Sequence, residues 1–237
     1  MATIEEVADG IYRVNTPVDP SVVEGGFSFN QYLIADEEPL LFHTGSRRLF
    51  ESVAAAIGRV IELRELRYVA FSHHEQDEDG ALNQFLSAAG SALPLCGAVN
   101  AMINADGMDR PPRVMQDGET LSLGRHVLRW LDAPHVPHGW EAGYLMEHTT
   151  QTLLCGDLFT QPGTGERSVT EADVLEPSEA FRKTGGDYFS HGAHLQRSLA
   201  RMASLEPALL ACMHGSAWRG DAKRLLQELA RRLDERG

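Results

Sequence analysis

Cysteine is scarce in this chain: Cys96, Cys155 and Cys212 are the only three, they lie far apart, and no CxxC pair occurs. That argues against a disulfide framework and removes the usual signature of a structural zinc site or a redox dithiol. Long apolar runs are missing as well. No segment approaches the roughly 18 apolar residues that a membrane span needs, and the opening MATIEEVADG carries acids where a secretory signal would carry a basic stretch. Positive charge is also short, with 21 Lys and Arg against 34 Asp and Glu. The resulting formal net charge of −13 repels a phosphate backbone, and no local basic patch offsets it. These absences lead us to expect a cytoplasmic protein with no membrane and no nucleic-acid partner. No low-complexity linker or short repeat divides the chain, so one domain over residues 1–237 is expected, with self-association left open.

What is present alternates strand-like and helix-like segments. GIYRV, FNQYLIA and PLLFHTG are short, rich in β-branched and aromatic residues, and separated by turn formers. Leu49 to Leu63 has helical spacing, and the near-continuous apolar run LRYVAFSHH suggests a strand buried on both faces. Helical periodicity returns at Ala81 to Ala89 and Ala98 to Asn104, on either side of the strand-like ALPLCG. ETLSL, HVLRWLDA, GYLMEH and TLLCGD suggest a second antiparallel meander, and Glu166 to Leu205 is mostly helix or loop. ALLACMHG is a late buried strand, and Asp221 to Arg236 is an amphipathic closing helix with Asp221 near its N-terminus. Two β-rich halves with helices outside fit an α/β fold of αββα type, a sandwich between helical layers. Periodicity alone leaves other α/β architectures open.

The chemistry concentrates where the apolar strand ends. His73-His74-Glu75-Gln76-Asp77-Glu78-Asp79-Gly80 packs two imidazoles and four carboxylates into one short turn. Carboxylates at that density raise one another's pKa, and a bound cation would turn the repulsion into coordination. A solvated acidic helix start explains the segment equally well. Three later residues tip the balance, because His138, Asp157 and His214 each follow an apolar strand and would share one edge of the sandwich.

With those residues in place the sequence resembles the metallo-β-lactamase superfamily, and within it the flavodiiron proteins and related single-domain oxygen-binding diiron proteins. His73, Glu75, Asp77 and Gly80 fall on the HxExDHxG pattern of that branch, where the superfamily's zinc hydrolases carry HxHxDH; His214, Gly215, Trp218 and Arg219 match its HGxxWR. The resemblance implies a metallo-β-lactamase-like sandwich in which His73, Glu75 and His138 bind one metal, Asp77 and His214 bind another, and Asp157 bridges. One position departs: the family's His after the Asp is Glu78 here, taken as a metal ligand, with a helix-start acid as the competing role. Three imidazoles with up to four carboxylates make an oxygen-rich site, which favours iron, then manganese, then zinc.

Around these ligands, His43 in HTG is expected to hydrogen-bond a ligand, with His135 supporting its loop and Trp218 close by. His74 and Asp79 alternate with the ligands and should point elsewhere. Tyr188, His191 and His194 could form a lid carrying proton donors, the two histidines sharing a helix face, although a packed surface helix explains them as well. Cys155 and Cys212, each two residues before a ligand, are expected to be buried small hydrophobes. Two functions compete. One is a diiron protein that binds or reduces dioxygen or nitric oxide with an external electron donor, no flavodoxin-like segment being found. The other is a metal-dependent hydrolase of a small ester, lactone or thioester. Either makes the chain a metalloenzyme or a close relative of one.

Overall fold

The computed structural model describes residues 1–234. Two seven-stranded sheets face one another. The first runs in chain order from β1 (Thr3–Ala8) through β2 (Ile11–Val18), β3 (Phe27–Ile34), β4 (Leu40–Phe42), β5 (Tyr68–Ala70) and β6 (Leu93–Gly97) to β7 (Arg113–Met115). Its first four strands pair antiparallel and the rest parallel. That switch places the ends of β4, β5 and β6 at one rim, which is where open α/β sheets collect functional loops.

The second sheet contains β8 (Thr120–Ser122), β9 (Val127–Asp132), β10 (Gly143–Glu147), β11 (Thr152–Gly156), β12 (Val169–Thr170), β13 (Leu209–Cys212) and β14 (Ala217–Arg219), in the order β12-β14-β13-β11-β10-β9-β8. Leu40, Phe42, Trp130, Leu145 and Leu154 meet between the sheets, all essentially buried. Each such large apolar side chain contributes about 1.5–3 kcal/mol relative to exposure. On the outer face of the first sheet lie α1 (Phe50–Ile57) and α3 (Leu82–Ala88), through Val53, Ile57, Phe85 and Leu86, with α4 (Ala98–Asn104) adding Ala101. The outer face of the second is covered by α5 (Leu175–Gly185), α6 (Ala193–Ser204) and α7 (Ala222–Asp234). This is the αββα sandwich. Cys155 and Cys212 are buried free thiols in the core beneath those helices, their sulfurs 3.9 Å apart.

Several elements differ in extent from the sequence pattern. The run from Leu66 to His74 yields only the short β5, because the chain leaves the ladder at Phe71 and Ser72 O accepts from Gly143 N of the opposite sheet at 2.8 Å. The helix expected over Leu49 to Leu63 stops at Ile57, with Gly58 at its C-cap. Asp221 caps α7 by accepting the Arg224 amide at 2.9 Å; the helix is described to Asp234, and its expected end at Arg236 lies outside the described residues. No helix among the described residues is long and apolar enough to cross a membrane.

Candidate metal centre

Four loops bring their ligand-type residues together at the rim. After β5 the chain turns through Ser72, His73, His74 and Glu75 into the single turn α2 (Gln76–Asp79). Glu75 occupies the extended N-cap position of α2, but its carboxylate caps no amide. It reaches across to His138, whose Nε2 is 2.9 Å from Glu75 Oε1. Within α2, Glu78 turns inward and is fully buried, while Asp79 turns the other way and accepts from His74 Nδ1 at 2.6 Å. The turn is tight enough to need glycine after it: a Cβ on Gly80 would fall 2.3 Å from the Gln76 carbonyl oxygen. Gly156, just before Asp157, has φ +50, and a Cβ there would crowd Ser72 Oγ at 3.0 Å. Its smallness lets the Asp157 and His73 loops approach one another.

Two clusters of candidate ligands result. His73, Glu75, His138 and Asp157 form one, and Asp77, Glu78 and His214 the other, with the donor atoms of each lying within 4.8 Å of one another. Asp157 faces both: its Oδ2 is 3.5 Å from His73 Nε2 and its Oδ1 is 3.3 Å from His214 Nε2. His214 Nε2 is also 3.7 Å from Asp77 Oδ2. Donors at about 2.0–2.2 Å from one ion are separated from each other by roughly 3.0–3.5 Å, so the two Asp157 spacings match coordination edges and the Asp77 spacing is slightly wider.

All three imidazoles are held by the nitrogen that faces away. His73 Nδ1 is 2.9 Å from Ser72 Oγ, His138 Nδ1 donates to Tyr188 O at 3.0 Å, and His214 Nδ1 donates to Ser28 O at 2.9 Å. Each arrangement turns Nε2 toward the clusters, where that of His138 meets Glu75. The Ser72 hydroxyl continues to His43 Nε2 at 3.0 Å, and the Ser72 amide donates to the same nitrogen. His43 therefore carries its proton on Nδ1, which faces the Met213 sulfur at 3.0 Å. Burial lowers its pKa to about 3, so it stays neutral. Its backbone is left-handed, φ 66, a conformation costing roughly 1 kcal/mol or more that its environment must hold in place.

The electrostatics are those of a charged site closed on itself. The hydrogen bond with His138, and then the nearby His73 imidazole, lower the Glu75 carboxyl to about 2, and the Glu75 bond raises His138 to about 9. Burial opposes ionisation of Asp157, but His214, His73 and His43 outweigh it and hold the carboxyl low. Burial likewise opposes charging of His73 and His214, yet the surrounding carboxylates raise both. Glu78 goes the other way: burial, then the charges of Asp157 and Asp77, push it well up. A cation beside it is what would let it ionise.

The donor set fits a pair of metal ions on a further count. His73 Nε2, Asp157 Oδ1 and both Glu78 carboxylate oxygens are buried without a hydrogen-bond partner, the imidazole–carboxylate approaches being ionic in distance but not aligned. An unsatisfied buried polar group costs about 1–3 kcal/mol, and coordination removes that cost.

A cavity of about 220 Å³ opens onto the clusters, walled by Phe27, Phe181, Tyr188 and Thr160 and floored by Glu75, Asp77 and Asp157 among others. Phe27 stacks on Phe181 and packs against His214, with ring centroids 5.6 and 4.5 Å apart. Tyr188 Oη reaches Asp157 O at 3.4 Å, and burial raises its pKa to about 12. The segment is braced by the buried Glu179–Arg182 pair at 2.8 Å, from which Arg182 also reaches Asp187.

The other expected lid residues lie off the cavity wall. His191 bonds Asp187 Oδ2 at 3.0 Å and His194 bonds Ser190 O at 3.1 Å. They do not share a helix face, because Gly192 at φ 143 separates His191 from α6. His135, left-handed at φ 62, stacks edge-on against His194. Trp218 is packed in the core beneath the helices and donates to Ala172 O, away from the ligands. Sequence reasoning overlooked Ser72, Phe27 and Phe181. Ser72 is signalled only by its place beside His73; the phenylalanines come from distant elements and carry no local mark.

The family model of the ODP family beta lactamases matches residues 27–215. Among curated relatives, an anaerobic nitric oxide reductase flavorubredoxin of Salmonella arizonae is 24% identical over 218 residues, covering 85% of this chain and 44% of that protein. A nitric oxide reductase of Moorella thermoacetica is 24% identical over 98% of this chain and 61% of its own length. The chain thus spans less than two thirds of the length of these relatives. Among solved structures, the flavodiiron core of Flv1 from Synechocystis superposes with TM-score 0.83 at 20% identity, over 98% of this chain and 60% of that one. The flavodiiron protein of Giardia intestinalis gives 0.82 at 20%, over 98% and 59%.

Proposed function

The chain belongs to the ODP family of β-lactamase-fold proteins, and from that premise we propose that it holds two metal ions, iron foremost, and binds or reduces dioxygen or nitric oxide. The observation that carries this reading is the pair of ligand clusters meeting at Asp157, with Glu75 standing in the first of them. In the proposed assignment His73, Glu75 and His138 hold one ion, Asp77, Glu78 and His214 hold the other, and Asp157 touches both. The relatives named as nitric oxide reductases support the choice of substrate. So does the cavity: about 220 Å³ is below the roughly 300 Å³ at which sites for larger organic ligands begin, and its Phe27 and Phe181 walls suit a small uncharged molecule. Electrons come from a donor outside these residues, and the compartment proposed is the cytoplasm, which suits three buried free thiols.

When bound, the metals supply electrons and open coordination positions to the gas. The protein's own groups do the rest. Ser72 and His43 hold the proton of His73 on Nδ1, and the Tyr188 and Ser28 carbonyls do the same for His138 and His214. Tyr188 Oη keeps its proton at neutral pH and is a hydroxyl donor at the cavity wall. Phe27 and Phe181 limit water beside the ligands.

The test is to reduce iron-loaded protein anaerobically and mix it with nitric oxide or dioxygen in a stopped-flow spectrometer, beside a panel of esters, lactones and thioesters. The expected outcome is a fast optical change with at least one gas and negligible hydrolysis. Silence toward both gases together with efficient turnover of one substrate would replace this reading with the hydrolase.

A further inference from the structure

The two clusters are unequal. Two imidazoles and Glu75 face one oxygen of Asp157, whereas His214 alone, with Asp77 and Glu78, faces the other. We infer that the two positions select different cations, ferrous iron at the His73–Glu75–His138 position and manganous ion at the Asp77–Glu78–His214 position. The inference rests on the binuclear reading above and deepens it.

Imidazole donors favour iron over manganese, and carboxylate donors suit manganese, so replacing nitrogen by oxygen narrows or reverses the preference. Glu78 is the residue that makes the replacement here. It is fully buried, both its oxygens lack partners, and its backbone is fixed where its carbonyl accepts from the Thr44 amide at 2.6 Å. It cannot swing to solvent to avoid coordination.

Among the described residues, nothing nearby restores a second nitrogen or a sulfur to that position. His43 is committed to Ser72 and Met213. His74 is turned away toward Asp79. Cys155 and Cys212 lie against each other in the core. The second position thus carries one more terminal carboxylate and one fewer imidazole than the first.

The test uses metal-free protein exposed anaerobically to equal excesses of Fe(II) and Mn(II), freed of loose metal and analysed for both elements. The wild type should hold one iron and one manganese per chain, with anomalous diffraction at the two absorption edges placing manganese beside Asp77 and Glu78. Glu78→His should raise the iron-to-manganese ratio roughly fivefold or more by returning a nitrogen donor. Glu78→Ala should keep its iron and lose manganese, the retained iron showing that the protein has folded. Two irons per wild-type chain, or the same ratio in wild type and Glu78→His, overturns the inference while leaving the binuclear centre intact. Fewer than two metals in total in the wild type overturns both.

Discussion

Asp157 offers one oxygen to each cluster, and its side chain is almost wholly buried between His73 and His214. Removing it takes a donor from both positions and leaves two imidazoles facing each other without the carboxylate between them. Asp157→Ala is therefore expected to lose both metals, whereas Glu75→Ala removes a donor from one position and should leave metal at the other. Metal content of the purified variants decides it; two ions retained in Asp157→Ala would show that Asp157 does not bridge. The seven ligand-type residues were legible in the sequence, His73, Glu75, Asp77 and Glu78 because they crowd one short segment, and His138, Asp157 and His214 because each follows an apolar strand. Ser72 and the backbone carbonyls of Ser28 and Tyr188, which fix the imidazole tautomers, were not. A serine is too common to stand out, and a carbonyl has no sequence identity at all.

The elements that carry these residues are mostly short, and that is where sequence and structure part. A strong helical stripe, such as Ala222–Asp234, is recognisable because burial of one face dictates the period, and Phe27–Ile34 because it is a long run rich in aromatic and apolar residues. β1 is an acidic, half-exposed edge strand, and β7, β12 and β14 have three residues or fewer, so no period can show. The turn α2 was legible as a helix start, but the close approach of Gly80 to the Gln76 carbonyl was not. Gly80→Ala places a methyl group against backbone that cannot yield like a side chain, and overpacking of that kind costs about 1–3 kcal/mol. The expected result in chemical denaturation of the metal-free protein is a lower midpoint with an unchanged slope. Because α2 carries Asp77 and Glu78, metal binding should weaken at their position and hold at the other. Unchanged stability would mean that the turn relaxes freely.

For the molecule as a whole, the rim is a place where like charges are gathered in a chain already at a formal −13, so folding and metal binding are linked. Binding to the folded state alone stabilises by about 2.7 kcal/mol per site at a hundredfold excess over Kd, which in a domain of this size raises Tm by roughly 5–10 °C per site. The pH dependence of that gain follows from the signs. In the metal-free protein His138, raised from 6.5 to about 9, adds stability that is fully present below 6.5 and lost as pH rises through about 9. Glu75, lowered from 4.5 to about 2, adds stability present above 4.5 and lost as pH falls through about 2. The pair therefore supports the metal-free fold best between about 4.5 and 6.5. Metal competes with the proton on His138, so its own contribution grows as pH rises through the range where that proton leaves. The difference in Tm between metal-loaded and metal-free protein is accordingly expected to be small at pH 5 and to widen steadily toward pH 8.5. Calorimetry of both forms across that range measures it directly, with Glu75→Gln as the control in which the metal-free optimum flattens. A gap that is constant with pH would mean that the cations bind without displacing the His138 proton, and would remove His138 from the ligand set.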